Sequence, residues 1–352
     1  MPDETPGWSA IDRVLDRCYP HQEPQHYGTL IKYCLGGPDP LDGISVYCSE
    51  KERPHWHYVT YGFSELYAKQ SDDPDTSGWG IELTFRLARP VKAKKAPLWP
   101  MSLLQNLARY VFTTGNVFGV NHHTDLNGPI ALEERTEICA AIFAKDPELK
   151  AIKTPHGRVQ FVQVYGITRD ELEAAAEWNS AGFLKLARRE NRLLVTDLKR
   201  KSVVADPTFA RKIERGIAKD GSSLTGVYVE SVSWRVLQRA AKSKLRIVLG
   251  ANAVRRLSRL LRARLPHDRD FWLWSPKRQV CFEPARKFRW NLRDVKGVGL
   301  TVGLPVSLVT AIGNTLEPRR GMYSWAENDD FEIEVKQSQI TDRDGKVIDT
   351  IG

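Results

Sequence analysis

The residues able to do chemistry are few and grouped. His55 and His57 lie two apart in HWHYVTY, so on a strand both rings point to one side and could begin a metal site, with His122 and His123 completing it. Zinc sites need four well-placed ligands with supporting contacts behind them, and the flanking Trp56 and Tyr58 favour packing instead. Neither a metal nor a cofactor is expected. Nucleophilic catalysis needs a base and an oriented third group, and GxSxG, HExxH and GxxxxGK[ST] are all absent. The acid pairs Asp72-Asp73 and Asp329-Asp330 lie in polar stretches and read as solvated. An enzyme is not expected.

Charge is the stronger signal. The net charge is +9, but residues 1–190 carry a balance of −4 and residues 191–352 one of +13. The stretch from Arg235 to Arg293 holds 17 Lys and Arg against three acids. Within it, helix 251–264 has an apolar stripe of Val254, Leu257, Leu260 and Leu261, while Arg255, Arg256, Arg259 and Arg262 take the other faces. Three readings fit: a solvated helix face, a docking face for an acidic protein, or, less favoured, a nucleic-acid groove using Trp272, Trp274 and Trp290.

The elements that position these groups follow from periodicity. Ile81, Leu83, Phe85 and Leu87 alternate with Glu82, Thr84 and Arg86, the pattern of a strand with one dry face. At 101–113 the period changes: Leu104, Leu107, Ala108, Val111 and Phe112 form a helical stripe, with Pro100 in the first turn. Strands are predicted at 44–48, 56–63, 157–166, 193–198, 245–249, 270–274, 279–283, 298–304 and 331–340. Helices are predicted within 1–20, at 132–144, from a Thr168–Glu171 capping box, at 181–190, from Pro207 to near Asp220, and at 305–314. Residues 115–130 read as irregular, and the polar tail 342–352 is expected to fray.

A chain of 352 residues is long for one core, so two domains are expected, 1–225 and 226–352, each a mixed β-sheet flanked by helices in an α/β (α+β) class. No run of eighteen apolar residues suggests a membrane helix, and the acidic MPDETPGWSAIDRV lacks the apolar core of a signal peptide. Five cysteines without CxxC spacing read as reduced thiols, which places the protein in the cytoplasm.

The motifs PHWHYVTYGFSELY (54–67), SGWGIELTFRL (77–87) and WPMSLLQNLARYVF (99–112), in this order, resemble the Suppressor of fused family. The likeness continues through DPELKAIKTPHGRVQFVQVYGIT (146–168), WNSAGFLKL (178–186) and DGSSLTGVYVESVSW (220–234). It implies a non-enzymatic protein-binding regulator in which two α/β domains close on a short peptide that adds as a strand. The animal members hold Gli-type transcription factors inactive. The peptide-holding Tyr of the family falls on Tyr110, and its two acidic positions fall on His122 and Lys145, so both charges are lost or reversed. The resemblance therefore implies a changed ligand, with an acidic protein or peptide segment as the expected partner. The short segment after residue 225, without the animal insertion, is similar to bacterial members, for which a toxin-neutralising immunity role is the implied function. Sequestration of a transcription factor and nucleic-acid binding by the basic half are the alternatives.

Overall fold

The alternating stretch 81–87 forms the middle of a long strand on which the first half of the chain is built. The structure is a computed structural model and describes residues 4–31, 33–239, 242–293, 299–341 and 347–352. It divides into two compact units, Met1–Ala175 with Ser180–Lys212, and Ala176–Asn179 with Ile213–Gly352.

In chain order the elements are α1 (Pro6–Cys18), β1 (Gln25–Gly28), β2 (Gly43–Ser49), β3 (His55–Tyr61), β4 (Thr76–Ala88), α2 (Trp99–Thr114), β5 (His123–Asp125) and β6 (Ile138–Lys145). There follow β7 (Ile152–Thr154), β8 (Gly157–Thr168), α3 (Arg169–Glu177), α4 (Ser180–Glu190) and α5 (Pro207–Asp220). The eight strands join in one sheet of order β1-β2-β3-β4-β8-β6-β5, with β7 paired to β8. In this sheet, among the described residues, only β4 and β8 pair in parallel. α2 has Pro100 in its first turn and ends at Gly115, whose φ of 75° lets its N–H close on Val111 O at 2.8 Å.

Both faces of this sheet are covered. On one, the α2 stripe of Leu104, Leu107, Ala108 and Val111 packs in one core with Tyr58, Leu83, Phe85 and Val164. Burying each Leu or Val there contributes about 1.5–3 kcal/mol. On the other, Ile11 and Leu15 of α1 meet Val59, Tyr61 and Phe161. The expected single dry face is therefore corrected: Glu82, Thr84 and Arg86 are all 0% exposed. They persist in the interior because each is hydrogen-bonded. Glu82 accepts from Thr60 Oγ1 at 2.6 Å, from Ser64 Oγ at 2.6 Å and from the Gly62 and Ser64 N–H groups, pinning the turn after β3.

Two further expectations fail. The helix over 132–144 gives way to β6, whose Ile-Cys-Ala-Ala-Ile-Phe-Ala run is buried between β8 and β5. A continuous apolar run of this length is ambiguous between helix and buried strand, and pairing on both edges overrides the helix preference of alanine. The strand at 193–198 reduces to one bridge from Thr196 to Leu87, because Leu194 turns left-handed at φ 51°. Residues 115–130 are irregular apart from β5. Of the capping box, Glu171 accepts from Thr168 N–H at 3.0 Å, but the Thr168 hydroxyl turns to Asp170.

The second unit continues with β9 (Gly226–Tyr228), β10 (Val232–Arg239), β11 (Lys242–Gly250), α6 (Ala251–Arg264), β12 (Phe271–Trp274), β13 (Gln279–Pro284), β14 (Arg289–Arg293) and β15 (Gly299–Leu304). It ends with α7 (Val306–Thr315), β16 (Gly321–Trp325), β17 (Asn328–Lys336), β18 (Ser338–Thr341) and β19 (Val347–Ile351). One sheet runs β10-β11-β17-β16, a second β14-β15-β13-β12-β9, and β18 pairs with β19. The strand expected from residue 298 begins within the described residues at Gly299. Of the tail, 342–346 lies outside the described residues and 347–351 is β19 rather than frayed. Residues of both larger sheets, with Val254, Leu257, Leu260 and Leu261 of α6 and Leu308, Val309 and Ile312 of α7, form one core.

Candidate partner-binding site

The first unit carries a cleft of about 1530 Å³ between α2 and the segment 115–134. Tyr110, on the outer face of α2, is 45% exposed and lines it. Its ring leans on Phe118 at 5.3 Å, and Phe118 stacks on buried Phe143 of β6 at 4.3 Å. The tyrosine thus stands on an aromatic column rooted in the core, which fixes its position. Beyond Phe118 the chain turns at Asn121, φ 70°, whose N–H donates to Phe143 O at 2.7 Å. His122 Nδ1 accepts from the Gly119 N–H at 3.1 Å, so in the neutral ring the proton sits on Nε2.

β5 forms the next wall. It pairs with β6 on one side and ends the sheet on the other. His123 Nδ1 meets Ser180 Oγ at 3.0 Å, and burial holds its ring below the ordinary pKa. The ion pair with Arg169 lowers the Asp125 carboxyl pKa. The rim mixes apolar and acidic side chains: Leu98 is 61% and Leu132 88% exposed, and exposed Glu133 and Glu134 follow Leu132. Bulky apolar side chains gathered at an open cleft mark a surface that loses water when a partner covers it.

Lys145 ends β6, away from the cleft lining. It is exposed, and its carbonyl accepts from Arg188 Nη2 at 2.8 Å. Its neighbour Asp146 points inward to a buried charge network. Arg86, fully buried, donates Nη1 to Asp146 Oδ2 at 2.7 Å, Nη2 to Asp146 Oδ1 at 3.1 Å and Nη2 to Glu148 Oε2 at 3.0 Å. Thr84 donates to the same carboxylate at 2.7 Å, and the Glu148 and Leu149 N–H groups cap it. His57 lies beside it, 3.3 Å from Asp146 Oδ2, short of hydrogen-bond geometry, and shares a 2.7 Å hydrogen bond with Tyr19. Burial, the largest single influence, would raise the Asp146 pKa, but the Arg86 charge and hydrogen bonds together with the neighbouring His57 outweigh it and hold the carboxyl well below its usual range. Burial lowers His57, and it pushes His55 down to about 4. These histidines face α1, whereas His122 and His123 line the α2 cleft, so the four do not come together. Among the described residues no cluster of three or more His, Cys, Asp or Glu is placed to hold a metal.

In the second unit Arg255, Arg256, Arg259 and Arg262 of α6 face outward as expected, over a buried stripe, whereas Arg264 is buried. Arg259 pairs with Glu177, and Arg262 reaches Asn314 at 3.3 Å. The basic run is partly neutralised by acids distant in sequence: Lys244 and Arg246 meet Glu332 at 2.7 and 2.5 Å across the parallel β11–β17 pair. Tyr110 and His122 therefore share one cleft, Lys145 stands apart on the same sheet, and the four arginines belong to another unit. Sequence reasoning did not anticipate the exposed leucines at the rim or the Arg86 network. The polar alternation at 82, 84 and 86 was the network's only local signal.

The Suppressor of fused protein family matches residues 37–201. The mouse and human Suppressor of fused homologs are each 37% identical over 252 residues, 66% of this chain and 51% of theirs. The chain thus spans about half the length of the curated relatives it matches. The crystal structure of Drosophila Suppressor of Fused aligns over 94% of this chain and 97% of its own, with a TM-score of 0.74 and 26% identity. A chain from the Sufu-Fu complex crystal structure aligns over 60% of this chain and 98% of its own, with a TM-score of 0.56 and 35% identity.

Proposed function

Because the chain belongs to the Suppressor of fused family, we propose that it is a non-enzymatic, cytoplasmic regulator that sequesters a protein partner at the α2 cleft. The cleft itself carries the reading: a half-exposed Tyr110 on a rigid column, exposed Leu98 and Leu132 at the rim, and the outer edge of β5 lining the same opening. A partner segment pairing with β5 would gain main-chain hydrogen bonds, while its side chains entered the cleft beside Tyr110. The most polar constellation of the unit, Arg86, Asp146 and His57, is sealed from solvent and serves packing rather than catalysis. The Sufu-Fu complex supports a protein as the bound species.

The finer reading is an immunity-type inhibitor that neutralises a toxin. His122 and Lys145 stand where the resemblance places acids; of the two only His122 lines the cleft, where Asp125, Glu133 and Glu134 remain, so the exchange supports a ligand that differs from that of the animal proteins. Sequestration of a transcription factor uses the same cleft, and the partner's identity separates the two. The test is affinity isolation of the tagged protein from its native cytoplasm, followed by identification of what co-purifies. One stoichiometric protein, lost on Tyr110→Ala, is the expected result, and a toxin domain in it decides for immunity. Recovery of nucleic acid alone, removed by moderate salt, overturns the reading.

A further inference from the structure

The second unit carries a row of three aromatic rings with no role in the α2 cleft. Trp272 and Trp274 alternate with the buried Phe271 and Leu273 along β12, so both indoles stand on the outer face of the five-stranded sheet. Their rings are parallel within 8° at a centroid distance of 6.3 Å. Tyr228, opposite Trp274 on the edge strand β9, extends the row with its ring 5.9 Å from Trp274 and 83% exposed. Gly226 makes the row possible: a Cβ there would come within 2.8 Å of the Trp274 ring and 2.3 Å of the Trp272 carbonyl.

Cations stand at both ends of β12. Arg269 precedes it, and Lys277, exposed, and Arg278 sit in the turn that follows, closed by Ser275 N–H donating to Arg278 O at 2.9 Å. Arg278 lies 4.7 Å over Trp234. Two acids flank Arg269, whose Nη1 donates to Ser222 O at 3.0 Å: Asp270 accepts from Trp272 Nε1 at 2.6 Å and Asp268 is exposed, so the net cationic end is the Lys277–Arg278 turn.

Rings 5.9 and 6.3 Å apart, with the Lys277–Arg278 cations beyond one end, suit an extended single nucleic-acid strand: bases stack and phosphates meet cations. An acidic peptide would use the cations but has no need of three aligned rings. We propose that the Tyr228–Trp274–Trp272 face binds single-stranded nucleic acid, an activity separate from partner capture at the α2 cleft.

The test is fluorescence anisotropy of labelled oligothymidylate and oligouridylate of about 15 nucleotides, titrated with the full chain at low and moderate salt. Expected are binding that weakens steeply with salt, a loss of about fivefold or more on Tyr228→Ala, retention on Tyr228→Phe, and a shallower salt slope on Lys277→Ala. Tyr228 is mostly exposed, so its removal leaves the fold intact, which thermal melts verify. Binding of either strand supports the proposal, and the ratio of the two says which sugar is preferred. No binding at low salt, full affinity in Tyr228→Ala, or equal competition by polyglutamate, which would make the face a dock for acidic proteins, overturns it.

Discussion

Replacing Arg86 by methionine tests whether the buried network holds the first unit together. The side chain is fully buried and supplies the countercharge for Asp146, also sealed from water. Methionine fills much of the space but leaves the carboxylate with only the Thr84 hydroxyl and two N–H donors. Removing one partner of a buried ion pair costs about 3–5 kcal/mol, a large share of the roughly 5–15 kcal/mol that keeps a domain folded. The sign with pH is fixed. In the native chain the Asp146 pKa is depressed, so its stabilisation is present above about pH 3.8 and is lost as pH falls through the lower folded value. Without Arg86 that depression disappears and the carboxyl accepts a proton readily, relieving the variant's penalty. The gap between wild type and Arg86→Met should therefore be widest near neutral pH and narrow as pH approaches 4. Urea unfolding followed by tryptophan fluorescence measures it, with Arg86→Met/Asp146→Asn as the companion that removes the orphaned charge and recovers part of the loss. A loss under about 1 kcal/mol at neutral pH, or a gap that does not change with pH, refutes the reasoning.

Other outcomes follow from the same contacts. Tyr110→Ala should weaken partner binding by at least tenfold in calorimetry while leaving the melting temperature within a few degrees, as expected of an exposed anchor. His55, held to about 4 against an ordinary 6.5, refuses a proton that the unfolded chain accepts. Stability should therefore fall as pH drops from 6.5 to 4, by about 3 kcal/mol from this residue, and His55→Gln should flatten that part of the urea midpoint profile. Gly7→Ala would drive a methyl group to 2.0 Å from Glu65 O, and should lower stability by about 1–3 kcal/mol in the same unfolding assay.

What the sequence showed and hid divides along physical lines. The α2 stripe was readable because a strong period recorded which side was buried, while the β4 alternation revealed the strand but not that both of its faces are buried. β6 was misread because its neighbours on both edges, not its own residues, make Ala140, Ala141 and Ala144 extended. β1, β5, β7 and β9, of three or four residues each, are too short to show a period, and β5 went unseen although it walls the cleft. Tyr110 and His122 came from a family resemblance, and the fold then brought them to one opening. Leu98 and Leu132 carry no local mark, because an apolar residue in a loop reads the same whether buried or exposed. The Arg235–Arg293 run overstated the field of its surface, because Glu332 and Glu177 reach it only through the fold.

The shortness of β5 has a consequence for solubility. A strand that ends a sheet offers its open amides and carbonyls to any extended chain, including another copy of the same protein, and long flat edges of this kind seed aggregation. Here the open edge lasts three residues, begins at a histidine and ends at Asp125, which Arg169 clamps in place. Three residues offer too few hydrogen bonds to hold a random strand by backbone alone. A ligand must add side chains that fit beside Tyr110 before the pairing lasts. The edge can thus stay open in a crowded cell, because its length discourages self-association and leaves selection to the cleft.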